Sequence, residues 1–212
     1  ESGLGIPAEP LFRSDSVVGE IDQPTGSTEI EAGISLAKSK HLGPEVDNED
    51  EYLDSSLRSS SMFHYESFGA RIVHAQIETL DGKSVNNIVR GRCYIYRYQV
   101  HFERSAECVK FGMALRTTSG IHLGGDFTAA SLGKSVPLEG AGETYEVAFE
   151  FQCNLNPGTY FTNAGVYGMH NGVEFILHRV ADLLVFRVLS ISENSANGPI
   201  WFSTKPNLTR LV

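Results

Sequence analysis

The chain has 212 residues, of which 41% are hydrophobic, and a formal net charge of −9 at pH 7. This length allows one large domain, or one domain with an extension. The acidic balance argues against general binding to nucleic acid or anionic membranes, because both need a positive surface, and no stretch has the roughly 20 apolar residues of a membrane-spanning helix.

Residues 1–60 differ in composition from the rest, because they are rich in Ser, Gly, Pro, Asp and Glu and contain few aromatic residues. The acid run EVDNEDEY indicates a solvated linker, since the ligand alternation and the central Gly of a calcium loop are missing. The stretch STEIEAGISLAKSK predicts at most one short helix, with Thr28 and Glu31 as a capping box. We therefore interpret residues 1–60 as a linker or extension within a longer chain.

Beyond Phe63 the sequence becomes a series of short alternating runs separated by turn residues. Each run has the period of two that is typical of a strand with one buried face. The predicted strands are Ala70–Leu80, Cys93–Arg104, Val109–Thr118, Thr144–Cys153, Thr159–Gly168 and Asp182–Ile191. Together they predict an all-β chain with an immunoglobulin-like antiparallel β-sandwich over residues 61–212, in which residues 192–212 form a tail strand.

The sequence LNPGTY places a Pro-Gly turn directly before a strand whose second residue is Tyr160. This resembles the tyrosine corner of immunoglobulin-like folds, in which a Tyr hydroxyl bonds to the backbone of the turn. The alternative is an ordinary Pro-Gly turn followed by a core tyrosine. Both interpretations predict an all-β domain.

The tripeptide Gly133-Lys134-Ser135 matches the end of the phosphate-binding loop of P-loop ATPases. That loop also needs a glycine five residues before Gly133, where this chain has Thr128, and a helix after the serine. Pro137 follows within two residues and disfavours helical geometry at Val136. We therefore expect a loop between strands here and no nucleotide site.

From about residue 60 to 190, the order of features resembles one known family. These features are a strand ending at Asp81-Gly82, the long strand from Cys93, the phrase FGMALRTTSGIHLGG, the LNPGTY corner and the closing strand DLLVFRV. The set is similar to the C-terminal domain of Wzt-type proteins, the ATP-binding subunits of bacterial ABC exporters for O-antigen polysaccharide.

The resemblance implies a non-catalytic domain that binds the O-polysaccharide and couples it to export, with no cofactor. It implies an ATPase domain upstream in the full-length protein. It also implies the transmembrane subunit of the exporter as a partner, and a cytoplasmic location at the inner face of the bacterial inner membrane.

A glycan site needs hydrogen-bonding side chains beside an aromatic surface on an outer sheet face or a loop. The long strand directs one polar set outward, and the strand after the corner directs Phe161 and its period-two neighbours outward. We expected these two strands to be neighbours in one sheet and their outward residues to form one groove. The predicted carbohydrate-binding residues are Arg97, Gln99, His101, Phe161, Asn163, Tyr167 and Arg187.

The alternative for these residues is a solvated sheet face whose aromatic side chains pack against the linker, the tail or a second subunit. Trp201 in the tail either stacks on a sugar or anchors the tail, and anchoring is the favoured interpretation. Exchange of the tail strand between two subunits would give a homodimer.

Two alternative functions are compatible with the sequence. One is a β-sandwich for protein contact or dimerisation that binds no glycan. The other is a glycan-cleaving enzyme using two of the carboxylates Asp126, Glu146 and Glu150, which would have to face each other across a cleft. The sequence contains no His-Glu-x-x-His motif, nucleophile elbow or metal-ligand spacing of its three cysteines, so an enzyme is disfavoured.

Overall fold

The computed structural model describes residues 51–130, 136–170, 173–189 and 197–211. All regular elements within these ranges are β-strands, and they form two sheets packed face to face. This arrangement confirms the predicted β-sandwich. The short helix predicted within residues 1–50 lies outside the described residues.

The larger sheet has seven strands, and its main path runs β1-β11-β10-β6-β7. Strand β4 pairs in parallel with the end of β11, and β8 pairs with the start of β6. Its strands are β1 (Phe63–His64), β4 (Asn87–Ile88), β6 (Ala106–Thr117), β7 (His122–Phe127), β8 (Val136–Glu139), β10 (Gly158–His170) and β11 (Val173–Val188).

The smaller sheet has four strands in the order β3-β2-β5-β9, all antiparallel. The turn at Asp81-Gly82 joins β2 to β3, as the sequence predicts. Its strands are β2 (Ala70–Thr79), β3 (Ser84–Val85), β5 (Cys93–Phe102) and β9 (Thr144–Gln152).

The core lies between the sheets and is built from alternate residues of the facing strands. The predicted inward face of β5 is fully buried, and the predicted inward face of β10 is buried as well. Burial of these aromatic and aliphatic side chains is the main driving force that holds the two sheets together. The inward residues are Tyr94, Tyr96, Tyr98, Val100 and Phe102 on β5 and Tyr160, Thr162, Ala164 and Val166 on β10.

The tyrosine corner predicted from LNPGTY is present. The Tyr160 hydroxyl donates to the carbonyl of Asn156 at 2.7 Å, across the Pro-Gly turn. The same hydroxyl lies 3.3 Å from the carbonyl of Pro199, so it also holds the start of the tail.

The tail is anchored to the sandwich at Trp201, as the favoured interpretation predicted. The indole packs against Gly91, and the Arg90 guanidinium lies 4.8 Å from its ring centre. Ile200 forms an isolated bridge with Leu155, and within residues 197–211 no strand follows it. The rest of the predicted tail strand, residues 192–196 and 212, lies outside the described residues.

Residues 51–68 run along the edge of β11 and are called the entry segment here. Its start is held by backbone hydrogen bonds between Tyr52 and Asn87, and its end by the Tyr65 amide, which donates to the Arg179 carbonyl. Between these ends the segment spans a cavity of about 400 Å³, lined mainly by apolar side chains. Residues 51–60, which the sequence assigned to the linker, thus contact the sandwich.

The residues that follow the Gly-Lys-Ser tripeptide form a strand. Residues 131–135, which include the tripeptide, lie outside the described residues. Immediately afterwards, Val136–Glu139 forms β8, at the position where a P-loop protein has a helix.

Candidate functional site

The residues predicted to bind carbohydrate lie on two different sheets. Strand β5 pairs with β2 and β9, whereas β10 pairs with β6 and β11. The expectation that these strands are neighbours in one sheet is therefore wrong. Their outward residues lie on opposite outer surfaces of the sandwich, separated by the core, and do not form one groove.

The β5 residues occupy the outer face of the four-stranded sheet, where neighbouring side chains already bond two of them. Arg97 donates to Glu78 at 3.0 Å and also pairs with Glu146. His101 Nδ1 lies 3.0 Å from the Thr144 hydroxyl. Gln99 lies between them and is half-buried. On this polar sheet surface, the Arg97 guanidinium is already paired with two carboxylates.

The three β10 residues point to the outer face of the seven-stranded sheet, as predicted, but two of them are not exposed. Phe161 is half-buried, while Asn163 is 1% exposed and Tyr167 is 6% exposed. The predicted exposure is wrong because side chains from neighbouring strands cover this part of the face. The Phe127 ring, for example, lies 5.4 Å from the Tyr167 ring.

Arg187 is exposed near the end of β11. It lies opposite Thr159 at the start of β10, away from Asn163 and Tyr167. Its guanidinium lies 3.5 Å from a carboxylate oxygen of Asp54 in the entry segment. The structure thus places it beside the start of the entry segment.

Around Asn163 and Tyr167 the structure gathers charged, polar and aromatic side chains from four strands. We call this set the outer-face cluster. Cross-strand pairing brings its members together, since Tyr167 lies opposite Lys110, and Arg116 opposite His122. Its members are Lys110, Arg116, His122, Phe127, Asn163, Tyr167, Arg179 and Asp182.

The centre of the cluster is an ion pair between the half-buried Arg116 and the buried Asp182. Arg116 Nη2 donates to Asp182 Oδ2 at 3.1 Å, and its Nε lies 2.8 Å from Oδ1 without the alignment of a hydrogen bond. The Asp182 amide donates to the side-chain oxygen of Asn163 at 2.8 Å. Asp182 has a φ of 52° and lies where the β10–β11 register shifts. Such bulges redirect side chains and are frequent near functional sites.

The aromatic part of the cluster lies over glycines. Gly165 and Gly112 are opposite each other on β10 and β6. A Cβ atom at Gly165 would lie 2.8 Å from the Tyr167 ring, and one at Gly112 would lie 2.7 Å from the Phe127 ring. The two glycines therefore leave the space in which these rings lie. The Lys110 ammonium is 4.8 Å from the centre of the Phe127 ring.

Besides Arg116 Nε, which is ion-paired with Asp182, three buried donors in the cluster have no hydrogen-bond partner in the described part of the chain. They are Asn163 Nδ2, the Tyr167 hydroxyl and Arg179 Nε. Buried polar groups are usually paired, because an unpaired one loses its hydration without compensation. Three such groups on one sheet face indicate a surface suited to hydrogen-bonding a ligand.

The charges of the cluster also act on its titratable groups. Burial raises the pKa of Tyr167 to about 12, so its hydroxyl is protonated at neutral pH. Desolvation, followed by the charges of Arg179 and Arg116, lowers the pKa of His122. At neutral pH the Tyr167 hydroxyl is therefore a hydrogen-bond donor, and His122 is neutral with one donor and one acceptor nitrogen.

Sequence reasoning missed six members of the cluster, which are Lys110, Arg116, His122, Phe127, Arg179 and Asp182. Lys110 and Arg116 both point outward on β6, and the two outward positions between them hold the small residues Gly112 and Ala114. Small residues at outward positions on two strands were the available indication of a surface with space above it. Which strands would be neighbours was not readable from the pattern.

The three carboxylates considered for an enzyme do not converge. Glu146 and Glu150 lie on the outer face of the four-stranded sheet, whereas Asp126 lies on β7 of the other sheet. Among the described residues, no group of three or more His, Cys, Asp or Glu side chains is arranged to hold a metal ion. Nor do those residues include a helix long and apolar enough to cross a membrane.

Comparison with known proteins identifies the family. No curated protein matches the chain significantly. The solved structure described as the crystal structure of the C-terminal domain of wzt aligns with a TM-score of 0.62 at 20% identity, covering 72% of this chain and 91% of that one. The X-ray structure of structural genomics target SoR45 aligns with a TM-score of only 0.31 at 11% identity, covering 63% of this chain and all of that one. The model of the Wzt C-terminal domain family matches residues 62–202, and the chain therefore belongs to that family.

Proposed function

We propose that this chain is a non-catalytic carbohydrate-binding module that recognises O-antigen polysaccharide and couples it to export by an ABC transporter. Membership of the Wzt C-terminal domain family supports a role in an O-antigen exporter. The observation that carries the glycan site is the group of buried, unpaired donors in the outer-face cluster.

The chemistry of the cluster fits a sugar chain. Sugar hydroxyls and ring oxygens accept hydrogen bonds, and the C–H face of a sugar ring packs against aromatic side chains. The cluster provides Asn163, Tyr167 and Arg179 as donors, and Phe127 and Tyr167 as rings. A sugar that reaches these donors takes the place of rotatable side chains that now cover them, so the binding face adapts to its ligand.

This proposal keeps Asn163 and Tyr167 from the sequence prediction, with Phe161 opposite Arg116 at the margin of the cluster. It leaves out Arg187 and the β5 residues. Arg97, Gln99 and His101 constitute an alternative site on the opposite surface. Because Arg97 is already paired with Glu78 and Glu146, a ligand there would have to compete with two carboxylates. The same binding experiment tests both surfaces.

The remaining parts of the proposal concern the assembly. The full-length protein carries an ATPase domain upstream, contacts the transmembrane subunit, and works in the cytoplasm at the inner face of the bacterial inner membrane. Two subunits associate by exchange of the tail strand. The support for exchange is that Phe202, Leu208 and Leu211 follow the Trp201 anchor and are all exposed, since a chain end with apolar residues gains free energy when a partner buries them.

A second candidate is a protein-contact domain that binds no glycan. Exposed aromatic residues favour it, because Phe63 with Tyr65 and Phe68 with Phe175 form two exposed edge-to-face pairs. A surface of this kind also fits a partner protein.

The test is calorimetric titration of the chain with purified O-polysaccharides from several serotypes, including that of the source strain. Saturable binding without shortening of the polysaccharide is expected. Tyr167→Phe should weaken binding about tenfold while leaving the melting temperature unchanged, since its hydroxyl has no partner to lose. Gln99→Ala, on the opposite surface, is the matched control and should bind normally.

The opposite pattern, with binding lost in Gln99→Ala or Arg97→Ala and retained in Tyr167→Phe, would move the site to the four-stranded sheet. Absence of binding to every polysaccharide in a folded sample would favour the protein-contact function.

A further inference from the structure

We propose that the entry segment forms one wall of the glycan site, so that an O-polysaccharide bound at the outer-face cluster holds this segment against β11. The inference rests on the proposed function and adds to it the binding role of Tyr65 and Phe63 and a link from the site to the chain that precedes it.

The entry segment presents its aromatic side chains on the same face as the cluster. In the antiparallel pair of β1 and β11, His64 lies opposite Val180, which is in the core, and its ring stacks on the buried His178. Successive residues of a strand point to opposite faces. Phe63 and Tyr65 therefore point outward, with Arg179.

Two side-chain contacts join the segment to the cluster directly. The Ser61 hydroxyl donates to Asp182 Oδ2 at 2.6 Å, the same carboxylate oxygen that accepts from Arg116. The Arg179 guanidinium lies 5.0 Å from the centre of the Tyr65 ring. Any ligand that rearranges Arg116 or Arg179 therefore acts on partners of the entry segment.

The outward rings of the segment are available for a ligand. Phe63 is 57% exposed and Tyr65 is 44% exposed, and their rings meet edge to face at 5.0 Å. Across the sheet, the Tyr167 ring lies over Gly165 and meets the Phe127 ring. Arg179 pairs with Gly165 between the strands and lies beside Tyr65. A sugar chain lying over Arg179 would contact the Tyr65 ring on one side and the Tyr167 ring on the other.

Few contacts hold the entry segment to the sandwich, so a ligand that touches the segment can change how often it detaches. Strand β1 has only two residues, followed by the backbone hydrogen bonds from Tyr65 to Arg179 and from Phe68 to Leu177. The part before β1 spans the apolar cavity of about 400 Å³. Short edge elements with few buried contacts open at lower free energy than a core strand.

Binding and docking are then linked thermodynamically. If a ligand contacts the docked segment, it slows the opening of the segment, and the docked segment strengthens ligand binding by the same factor. The preceding chain is covalently continuous with this segment. A bound glycan that changes the docking of residues 51–60 therefore changes how the preceding chain is held.

The experiment is hydrogen–deuterium exchange of the 212-residue chain, with and without the O-polysaccharide that binds in the titration. The reporters are the Tyr65 and Phe68 amides, and amides of β5 such as Tyr98 correct for global stabilisation. Saturating polysaccharide is expected to slow exchange at Tyr65 and Phe68 about fivefold or more beyond that reference. Without polysaccharide, Ser61→Ala should speed exchange at both amides, because it removes the bond to Asp182.

Binding by variants completes the test. Tyr65→Ala should weaken polysaccharide binding about tenfold or more, while Leu80→Ala, an exposed apolar residue at the β2–β3 turn, should bind normally. Binding that is lost in Tyr167→Phe but unchanged in Tyr65→Ala, with no change at the reporter amides, overturns this inference and leaves the proposed function standing. Absence of binding by the unaltered chain overturns both.

Discussion

Two tyrosines on β10 differ in the hydrogen bonding of their hydroxyl groups. Tyr160 points into the core and donates to the Asn156 carbonyl at 2.7 Å. Tyr167 points to the outer face, and its buried hydroxyl has no hydrogen-bond partner in the described residues. The first arrangement contributes to folding, whereas the unpaired hydroxyl of the second is the basis of the proposed ligand site.

Removal of the first hydroxyl should therefore destabilise the fold. Tyr160→Phe deletes the bond to Asn156 and the contact with Pro199, which leaves two backbone carbonyls less well satisfied. We expect a loss of about 1–2 kcal/mol in the free energy of unfolding, measured by urea denaturation. Equal stability of Tyr160→Phe and the unaltered chain would show that the corner contributes no net free energy.

His178 links the two sheets in its neutral form. Its Nδ1 accepts a hydrogen bond from the Ile72 amide at 3.0 Å, so β11 is bonded to β2. Burial first, then the nearby charges of His64 and Arg71, lower the pKa of His178 to about 4, while Glu103 opposes this shift. The folded protein therefore resists protonation of this ring between the ordinary histidine value and pH 4.

The fold should lose stability as the pH falls through this window. Below pH 6.5 the unfolded chain binds a proton at residue 178 that the folded chain does not bind until about pH 4, so the free energy of unfolding decreases with falling pH. The loss over the window is up to about 3 kcal/mol. Urea denaturation at several pH values should show it in the unaltered chain and a smaller loss in His178→Gln. Parallel pH profiles for the two proteins would assign the loss to other groups.

At the scale of single elements, alternation predicted which face of each long strand is buried. On β5 the five inward residues are fully buried. On β10 the inward set was also predicted correctly, yet the outward Asn163 and Tyr167 proved to be covered. Alternation describes one strand at a time, and the side chains that cover β10 come from β6, β7 and β11.

The glycine pair beneath the aromatic rings gives a test at the same scale. Gly165→Ala places a methyl group within 3 Å of the Tyr167 ring, which must rotate away from the sheet. Because the ring is the end of a flexible side chain, we expect a small loss of stability, below about 1 kcal/mol. Polysaccharide affinity should fall about tenfold, since the hydroxyl leaves its position.

The control for this variant is Ala148→Val, which adds volume to an exposed position on β9 of the other sheet. Calorimetric titration and thermal denaturation of both variants separate affinity from stability. Normal polysaccharide binding by Gly165→Ala would show that the position of the Tyr167 ring does not matter for the site.

At the scale of the whole molecule, the tail leaves the sandwich after Trp201, and Phe202, Leu208 and Leu211 beyond that point are exposed. If two subunits exchange tails, the chain of 23.2 kDa should behave as a dimer in light scattering. Deletion of residues 202–212 should give a monomer with an unchanged melting temperature, because the deleted residues pack little against their own sandwich. A monomeric mass for the complete chain would contradict strand exchange.

The sequence by itself determined the all-β class, the faces of the main strands, the tyrosine corner and the family, because each depends on local periodicity or on motifs in chain order. Only the tertiary structure decided which strands are neighbours. It separated Arg97, Gln99 and His101 from Asn163 and Tyr167, and it brought Arg116, Arg179 and Asp182 to the latter pair. Pairing between strands distant in sequence depends on how the whole chain buries its core, and a period of two within one strand carries no record of its neighbours.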